Sequence, residues 1–270
     1  MDRKRKLGQV FLRNMTIVDE IIRIACPTCE DIFIEIGAGF GVLTEPLSKR
    51  VRKVYAIELD NTLVGILKER FWSRENVEII NENILKLSFL DIAKSHERKL
   101  RIIGNIPYSI SSPILFKLLE HRTLFHSFLL MFQKEVADRI VARSSTKSYG
   151  LLSIFSQIYA EVEKVLDVRK ECFHPKPKVD SAVVRFSILD SSLIQDRDEK
   201  VFKQVVRASF SHRRKTLKNS LLKSPLFSQY QENLIEKLTD IGIDVRRRGE
   251  TLSIKEFEKI AQILNKLGFS

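Results

Sequence analysis

Over its first 190 residues or so, the 270-residue chain alternates short apolar runs with stretches of helical spacing. Residues 32–36, 54–59, 77–81, 100–104 and 126–132 read as strands. Residues 42–50, 61–71, 112–120 and 134–143 carry their apolar side chains at helical intervals. So do residues 13–25, where Ile17, Val18, Ile21, Ile22 and Ala25 share a face and Asn14 is a suitable cap. Strand–helix alternation predicts a parallel sheet with helices on both faces. Residues 159–168 and 181–188 break the alternation: both read as strands, and they flank the proline-studded loop Phe173-His174-Pro175-Lys176-Pro177-Lys178. Strands joined so closely predict an antiparallel pair at the sheet edge, giving a doubly wound, mixed α/β sheet of about seven strands. Beyond residue 190 only helical spacing remains, and Ser253 followed by Glu256 is a capping box ahead of Phe257, Ile260, Ala261 and Leu264. A boundary there predicts an α/β domain, residues 1–189, and a small all-α domain, residues 190–270.

Chemistry concentrates at two strand ends. Ile32-Phe33-Ile34-Glu35-Ile36 runs into Gly37-Ala38-Gly39-Phe40-Gly41, and a helical pattern follows at once. Strand, glycine turn and helix form the first unit of a nucleotide-binding sheet, in which glycines permit positive φ and close approach of a ligand. The second strand ends in Glu58, about twenty residues past the first glycine, the spacing of an acid that accepts ribose hydroxyls. A nicotinamide cofactor would suit the same unit. The Gly-x-Gly-x-Gly spacing after Glu35 favours S-adenosylmethionine, and so does Asn105-Ile106-Pro107-Tyr108 at the end of a fourth strand. In that tetrad an amide oxygen and a backbone carbonyl can accept N–H groups from an exocyclic amine, while the tyrosine ring stacks on the heterocycle. Such a pocket suits alkylation of a nucleobase nitrogen.

Charge points to the partner. There are 46 lysines and arginines against 34 acids, a net charge of +12. Between Lys200 and Lys223 lie eight basic residues and no acid. Lys200, Lys203 and Arg207 share a helix face there. Arg246-Arg247-Arg248 and the basic N-terminus, Arg3 to Lys6, make two further clusters, so a phosphate backbone is the expected partner. No run of eighteen apolar residues occurs, and the charged N-terminus lacks the apolar core of a secretory signal, so an intracellular protein is expected. Three cysteines are too few for a disulfide scaffold. Cys26 and Cys29 have redox or half-zinc spacing, but no second pair completes a metal site.

These residues resemble, nearly end to end, the small-subunit ribosomal RNA adenine N6,N6-dimethyltransferases, the KsgA family. The likeness runs through Leu7-Gly8-Gln9-Val10-Phe11-Leu12, residues 35–41, Glu58, the 105–108 tetrad, Gln133 to Ala137, Tyr149 to Ser153 and Phe173 to Val183. It extends past the catalytic domain into Phe210-Ser211-His212-Arg213-Arg214-Lys215-Thr216-Leu217-Lys218-Asn219, which is typical of the ribosome-modifying branch. The resemblance implies a Rossmann-like class I methyltransferase with S-adenosylmethionine as donor. Gln9, Val10, Leu12, Gly37, Gly39, Glu58, Asn83 and Asn105 would hold the donor. Asn105, Ile106, Pro107, Tyr108 and Phe173 would serve catalysis, with Tyr108 and Phe173 sandwiching the target base. Arg207, Arg213, Arg214, Lys215 and Lys218 would contact RNA. The implied substrate is a pair of adjacent adenosines in a hairpin loop near the 3′ end of small-subunit (16S) rRNA, within the assembling subunit. The enzyme would be a cytoplasmic monomer, with no metal and no membrane attachment.

Three positions depart from the family pattern. Ile106 stands for leucine, Val10 for a polar residue, and Asn83 for the aspartate that receives the donor's adenine amine; an Asn oxygen can still accept, and Glu82 lies beside it. The competing readings are an assembly or RNA-binding factor without turnover, and a large-subunit rRNA adenine N6-methyltransferase. The intact tetrad argues against the first, and the Arg213-Arg214-Lys215 segment against the second.

Overall fold

The computed structural model describes residues 10–212, 214–225, 227 and 231–268. A two-residue strand, β1 (Phe11–Leu12), leads into helix α1 (Met15–Ala25). Asn14 caps that helix as anticipated, its Oδ1 accepting the Ile17 N–H at 3.2 Å. The predicted strands follow as β2 (Ile32–Ile36), β3 (Lys53–Glu58), β4 (Val77–Asn81), β5 (Leu100–Asn105) and β6 (Phe125–Gln133). Their connections hold α2 (Thr44–Ser48), α3 (Asn61–Arg70), α4 (Phe89–Ala93) and α5 (Ser111–Glu120). After α6 (Lys134–Ile140) and α7 (Leu151–Gln157) come β7 (Ala160–Val168), β8 (Phe173–His174) and β9 (Ser181–Ile188). Helices α4 and α7 are not foreseen in the sequence, because five and seven residues span too few turns to establish a period.

Seven strands form one sheet in the order β4-β3-β2-β5-β6-β9-β7. Strand β9 runs antiparallel to both its neighbours and the other pairings are parallel, so the sheet is mixed and the antiparallel pair lies at one edge. Strands β2, β3 and β5 are buried along most of their length on both faces, which is why they read as nearly continuous apolar runs. Strand order reverses between β2 and β5, and an open sheet binds its ligands at such a switch point, beyond the strand ends. The two backbones approach closely there. A Cβ on Gly104 would fall on the Ile36 carbonyl oxygen and lie 3.1 Å from the Ile36 nitrogen. Separately, β1 and β8 pair antiparallel with Leu12 opposite Phe173; two-residue strands carry no periodic signal.

Packing divides the chain into two compact units, one running up to Asp138 and resuming at Ala160–Asp190, the other made of Arg139–Tyr159 and Ser191–Ser270. The chain passes between the units three times, the third time after Asp190. Residues 139–159, assigned from sequence to the α/β domain, fall instead with the helical unit. Tyr149 meets Phe210 edge-on at 6.2 Å, and the Leu193 N–H donates to the Ile158 carbonyl at 2.9 Å. In that unit α8 (Asp196–Ser211) packs on α11 (Ile254–Lys266), with α9 (Leu217–Leu222) and α10 (Gln231–Asp240) between them in sequence. The anticipated capping box of α11 is present: Glu256 donates its N–H to Ser253 Oγ at 3.2 Å, and the Ser253 N–H returns to Glu256 Oε2 at 2.8 Å. No described helix is long and apolar enough to cross a membrane.

Candidate active site

Strand β2 ends at Ile36, and the chain turns through Gly37, Gly39 and Gly41 at φ of 72°, 58° and 78°. Side-chain residues are strained in that region, and all three glycines also admit close neighbours. A Cβ on Gly37 would lie 3.3 Å from the Asn105 carbonyl oxygen, and one on Gly39 would lie 3.1 Å from the Phe11 ring. Strand β3 delivers Glu58 beside this turn. Its Oε2 accepts the Gly39 N–H at 2.9 Å, while Oε1 accepts those of Leu59 and Asp60 at 2.8 and 2.9 Å. The carboxylate therefore shapes the turn, and its remaining lone pairs can accept hydroxyls from a ligand.

Asn105 closes β5. Its Nδ2 donates to the Val10 carbonyl at 2.8 Å, and its Oδ1 is buried with no hydrogen-bond partner. A buried carbonyl oxygen left unpaired costs about 1–3 kcal/mol, so an orphan of this kind marks a place for a donor. The Val10 backbone thus fixes the amide. Beyond Pro107, Tyr108 to Ile110 make a single 3₁₀ turn, and the Tyr108 hydroxyl meets Ser181 Oγ at 2.6 Å. Burial raises the phenol's pKa and the Ser181 hydrogen bond opposes it, so Tyr108 stays neutral at physiological pH. A cavity of about 320 Å³ brings together Val10, Leu12, Gly37, Gly39, Glu58 and Asn83 with all four residues of the tetrad.

The wall also carries Glu35, which is 1% exposed. Burial pushes its carboxyl up to about 8; the hydrogen bond donated by Thr44 Oγ1 works against this, and the charge of Glu58 adds to it. Burial therefore favours the protonated form of this carboxyl on the cavity wall.

Not every anticipated contact forms. Phe173, expected to face Tyr108 across a base, is 4% exposed and packs in the core with Leu12, Met131 and Val183 rather than on the cavity wall. Its pairing opposite Leu12 in the β1–β8 ribbon places it there. Asn83 does reach the cavity, but its Oδ1 already accepts the Leu85 N–H at 2.9 Å, and the Glu82 carboxylate takes the Asn83 N–H at 2.7 Å. Gln9 and Arg213 lie outside the described residues. Sequence reasoning missed Thr44 and Ser181, whose hydroxyls have no local signature, and Phe11 as part of the cavity wall.

In the helical unit Lys200, Arg207, Arg214, Lys215 and Lys218 are exposed, with the Arg207 guanidinium 5.7 Å from the centre of the Phe155 ring. Lys203 is engaged by Glu199 at 2.7 Å. The 246–248 cluster is less available than its sequence suggests. Arg247 is a strut bonded to Glu256 and Thr251, and Arg246 pairs with Asp244 at 3.0 Å. Cys26 and Cys29 are free thiols, and no cluster of three metal-ligating side chains occurs among the described residues.

The sheet order, the glycine turn at its switch point and the acid at the end of β3 define a Rossmann-like methyltransferase fold with an appended helical region. A family model for ribosomal RNA adenine dimethylases matches residues 1–266, and the chain belongs to that family. It is 43% identical over 265 residues to the ribosomal RNA small subunit methyltransferase A of Bacillus cytotoxicus, covering 97% of this chain and 91% of that protein. To the protein of the same name from Clostridium acetobutylicum it is 42% identical over 257 residues, covering 95% and 92%. Among solved structures, a dimethyladenosine transferase from Plasmodium falciparum superposes with a TM-score of 0.80 at 30% identity, covering 96% of this chain and 98% of that one. The 23S rRNA methyltransferase ErmE gives 0.71 at 25% identity, covering 94% and 99%.

Proposed function

We propose that the protein dimethylates the exocyclic N6 amine of two adjacent adenosines in a hairpin loop near the 3′ end of small-subunit rRNA, with S-adenosylmethionine as methyl donor. It acts on the assembling subunit, as a monomer in the cytoplasm. The observation that carries this reading is Asn105 Oδ1, buried and unpartnered in a residue that lines the same cavity as the glycine turn. An exocyclic amine supplies the N–H that this oxygen lacks, and the Val10 carbonyl determines which way the amide faces.

The cavity residues fit the donor: Glu58 offers acceptors for ribose hydroxyls, and the glycine turn lets a ligand reach the backbone. When bound, the donor supplies an electrophilic methyl on a positively charged sulfur. The chain's own residues do the rest. Asn105 Oδ1 and the Ile106 carbonyl each accept one N–H, which favours a pyramidal nitrogen whose lone pair is free to attack. Tyr108, neutral and tied to Ser181, stacks on the base and limits its tilt. The contribution is positioning and electrostatic complementarity rather than proton abstraction, since the ammonium product is acidic enough to lose its proton to water. An adenine reaches such a cavity only when unstacked, as in a loop. The exposed basic residues of the helical unit hold phosphates, which position the RNA without reading its sequence. The small-subunit relatives at 43% identity, against 25% for the large-subunit enzyme, favour the small-subunit target.

The test is nucleoside mass spectrometry on unmodified small-subunit RNA and particles treated with the protein and labelled donor. Labelled N6,N6-dimethyladenosine is the expected product. Asn105→Ala should lower transfer about 100-fold or more while RNA association stays within about twofold. Full activity in that variant, or label confined to large-subunit RNA, refutes the assignment.

A further inference from the structure

Lys117 lies on α5, the helix that begins three residues after Tyr108. Its ammonium donates to the Ile84 carbonyl at 3.0 Å and the Leu87 carbonyl at 2.7 Å, and sits 5.1 Å from the centre of the Phe89 ring. Both carbonyls belong to the β4–α4 loop, which contributes Glu82, Asn83, Ile84 and Leu85 to the cavity wall. The loop organises its own N–H groups around Asn83. Leu85 donates to the Asn83 side chain at 2.9 Å, and Lys86 and Leu87 donate to its carbonyl at 2.7 and 3.0 Å. Two of the loop's carbonyls are met from outside, by a single cation on the helix that extends from the tetrad.

We propose that Lys117 is a positioning residue for donor binding, fastening the 82–87 loop to α5 so that the loop and the tetrad keep a fixed spacing across one cavity. The proposal rests on the donor assignment above. A lysine serving solubility alone extends its ammonium into water. This one is drawn back over a phenyl ring and against backbone. Burial lowers its pKa, with Glu82 opposing, so the arrangement carries a desolvation penalty offset by two charge-assisted hydrogen bonds. Losing the ammonium leaves both carbonyls unmet and frees the loop relative to the tetrad. Both carbonyls belong to the loop that lines the donor cavity, so the deficit should fall on the donor.

Isothermal titration with S-adenosylhomocysteine, alongside filter binding of small-subunit RNA, tests this on the full chain. Lys117→Met keeps the aliphatic stem and should weaken S-adenosylhomocysteine about tenfold, the order expected for loss of a charged hydrogen bond. RNA affinity should stay within about twofold, so KM for the donor rises while KM for RNA does not. Lys117→Arg, which can still reach two carbonyls, should restore most of the donor affinity. Unchanged S-adenosylhomocysteine binding in the methionine variant, or equal loss for donor and RNA, overturns the proposal. If the methionine variant does not fold, Lys117→Gln takes its place under the same criteria. Wild-type protein that fails to bind S-adenosylhomocysteine at all would instead defeat the donor assignment itself.

Discussion

Replacing Glu35 by glutamine isolates the one strongly perturbed carboxyl of the cavity. The side chain is fully buried in β2, and its Oε2 accepts the Thr44 hydroxyl. Its ordinary pKa of 4.5 is pushed up to about 8, chiefly by burial. Between those values the folded protein holds a proton that the unfolded chain has released, so stability declines as pH rises. The full contribution is present below about pH 4.5, falls through the window, and is gone above about pH 8. The slope is about 1.4 kcal/mol per pH unit, or roughly 5 kcal/mol across the window, a large share of the 5–15 kcal/mol that stabilises a typical protein. Glutamine has the shape of the protonated acid, accepts the same Thr44 hydrogen bond and does not titrate. Urea unfolding of both proteins from about pH 5 to pH 9 cancels the contributions of every other group. The two should agree within about 1 kcal/mol near pH 5, and the variant should be several kcal/mol more stable near pH 9. A constant difference across the range would show that Glu35 ionises normally and that the burial argument is wrong.

Two further predictions test separate parts of the site. Pro107→Ala supplies an N–H two residues after Asn105 and should slow methyl transfer about tenfold or more, with S-adenosylhomocysteine binding within about twofold by calorimetry; unchanged turnover refutes the role given to the proline. Reversing Arg214 and Lys218 to glutamate should weaken small-subunit RNA binding and flatten its salt dependence, by about one unit of log K against log salt for each phosphate no longer neutralised. Donor affinity should not change, and an equal fall in both would dissolve the proposed division between the units.

The parallel core was legible because strands covered on both faces must be almost wholly apolar, as in Ile32 to Ile36 apart from Glu35, and such runs stand out against helical spacing. What escaped were elements too short to repeat, α4, α7 and the β1–β8 ribbon. The allegiance of residues 139–159 also escaped, because it is decided by contacts with Phe210 and Leu193, more than thirty residues away. The ribbon matters to the site: it sets Phe173 opposite Leu12 and sends its ring into the core, where an isolated reading of Phe173 gave it a stacking role. Arg247 shows the same limit in a charged residue. Its sequence neighbours suggest a phosphate contact, but Glu256, nine positions on, has engaged it.

Two asparagines at strand ends show why the chemistry was only half readable. Asn83 and Asn105 both reach the same cavity, and each was assigned an amide oxygen free to accept from a ligand. An asparagine oxygen is drawn first to the N–H two residues ahead, the bond that closes an Asx turn. After Asn83 that residue is Leu85, and its N–H occupies Oδ1 at 2.9 Å. After Asn105 it is Pro107, which has no N–H to give, and Oδ1 stays unpartnered. The proline therefore does more than bend the chain: by withholding one donor it leaves the neighbouring amide oxygen available to an incoming amine. In the proposed mechanism the isoleucine between them contributes only a backbone carbonyl. At position 83 nothing withholds the competing N–H, so asparagine and aspartate would differ there. Aspartate could satisfy Leu85 with one oxygen and a ligand with the other, whereas asparagine has a single oxygen to share between them.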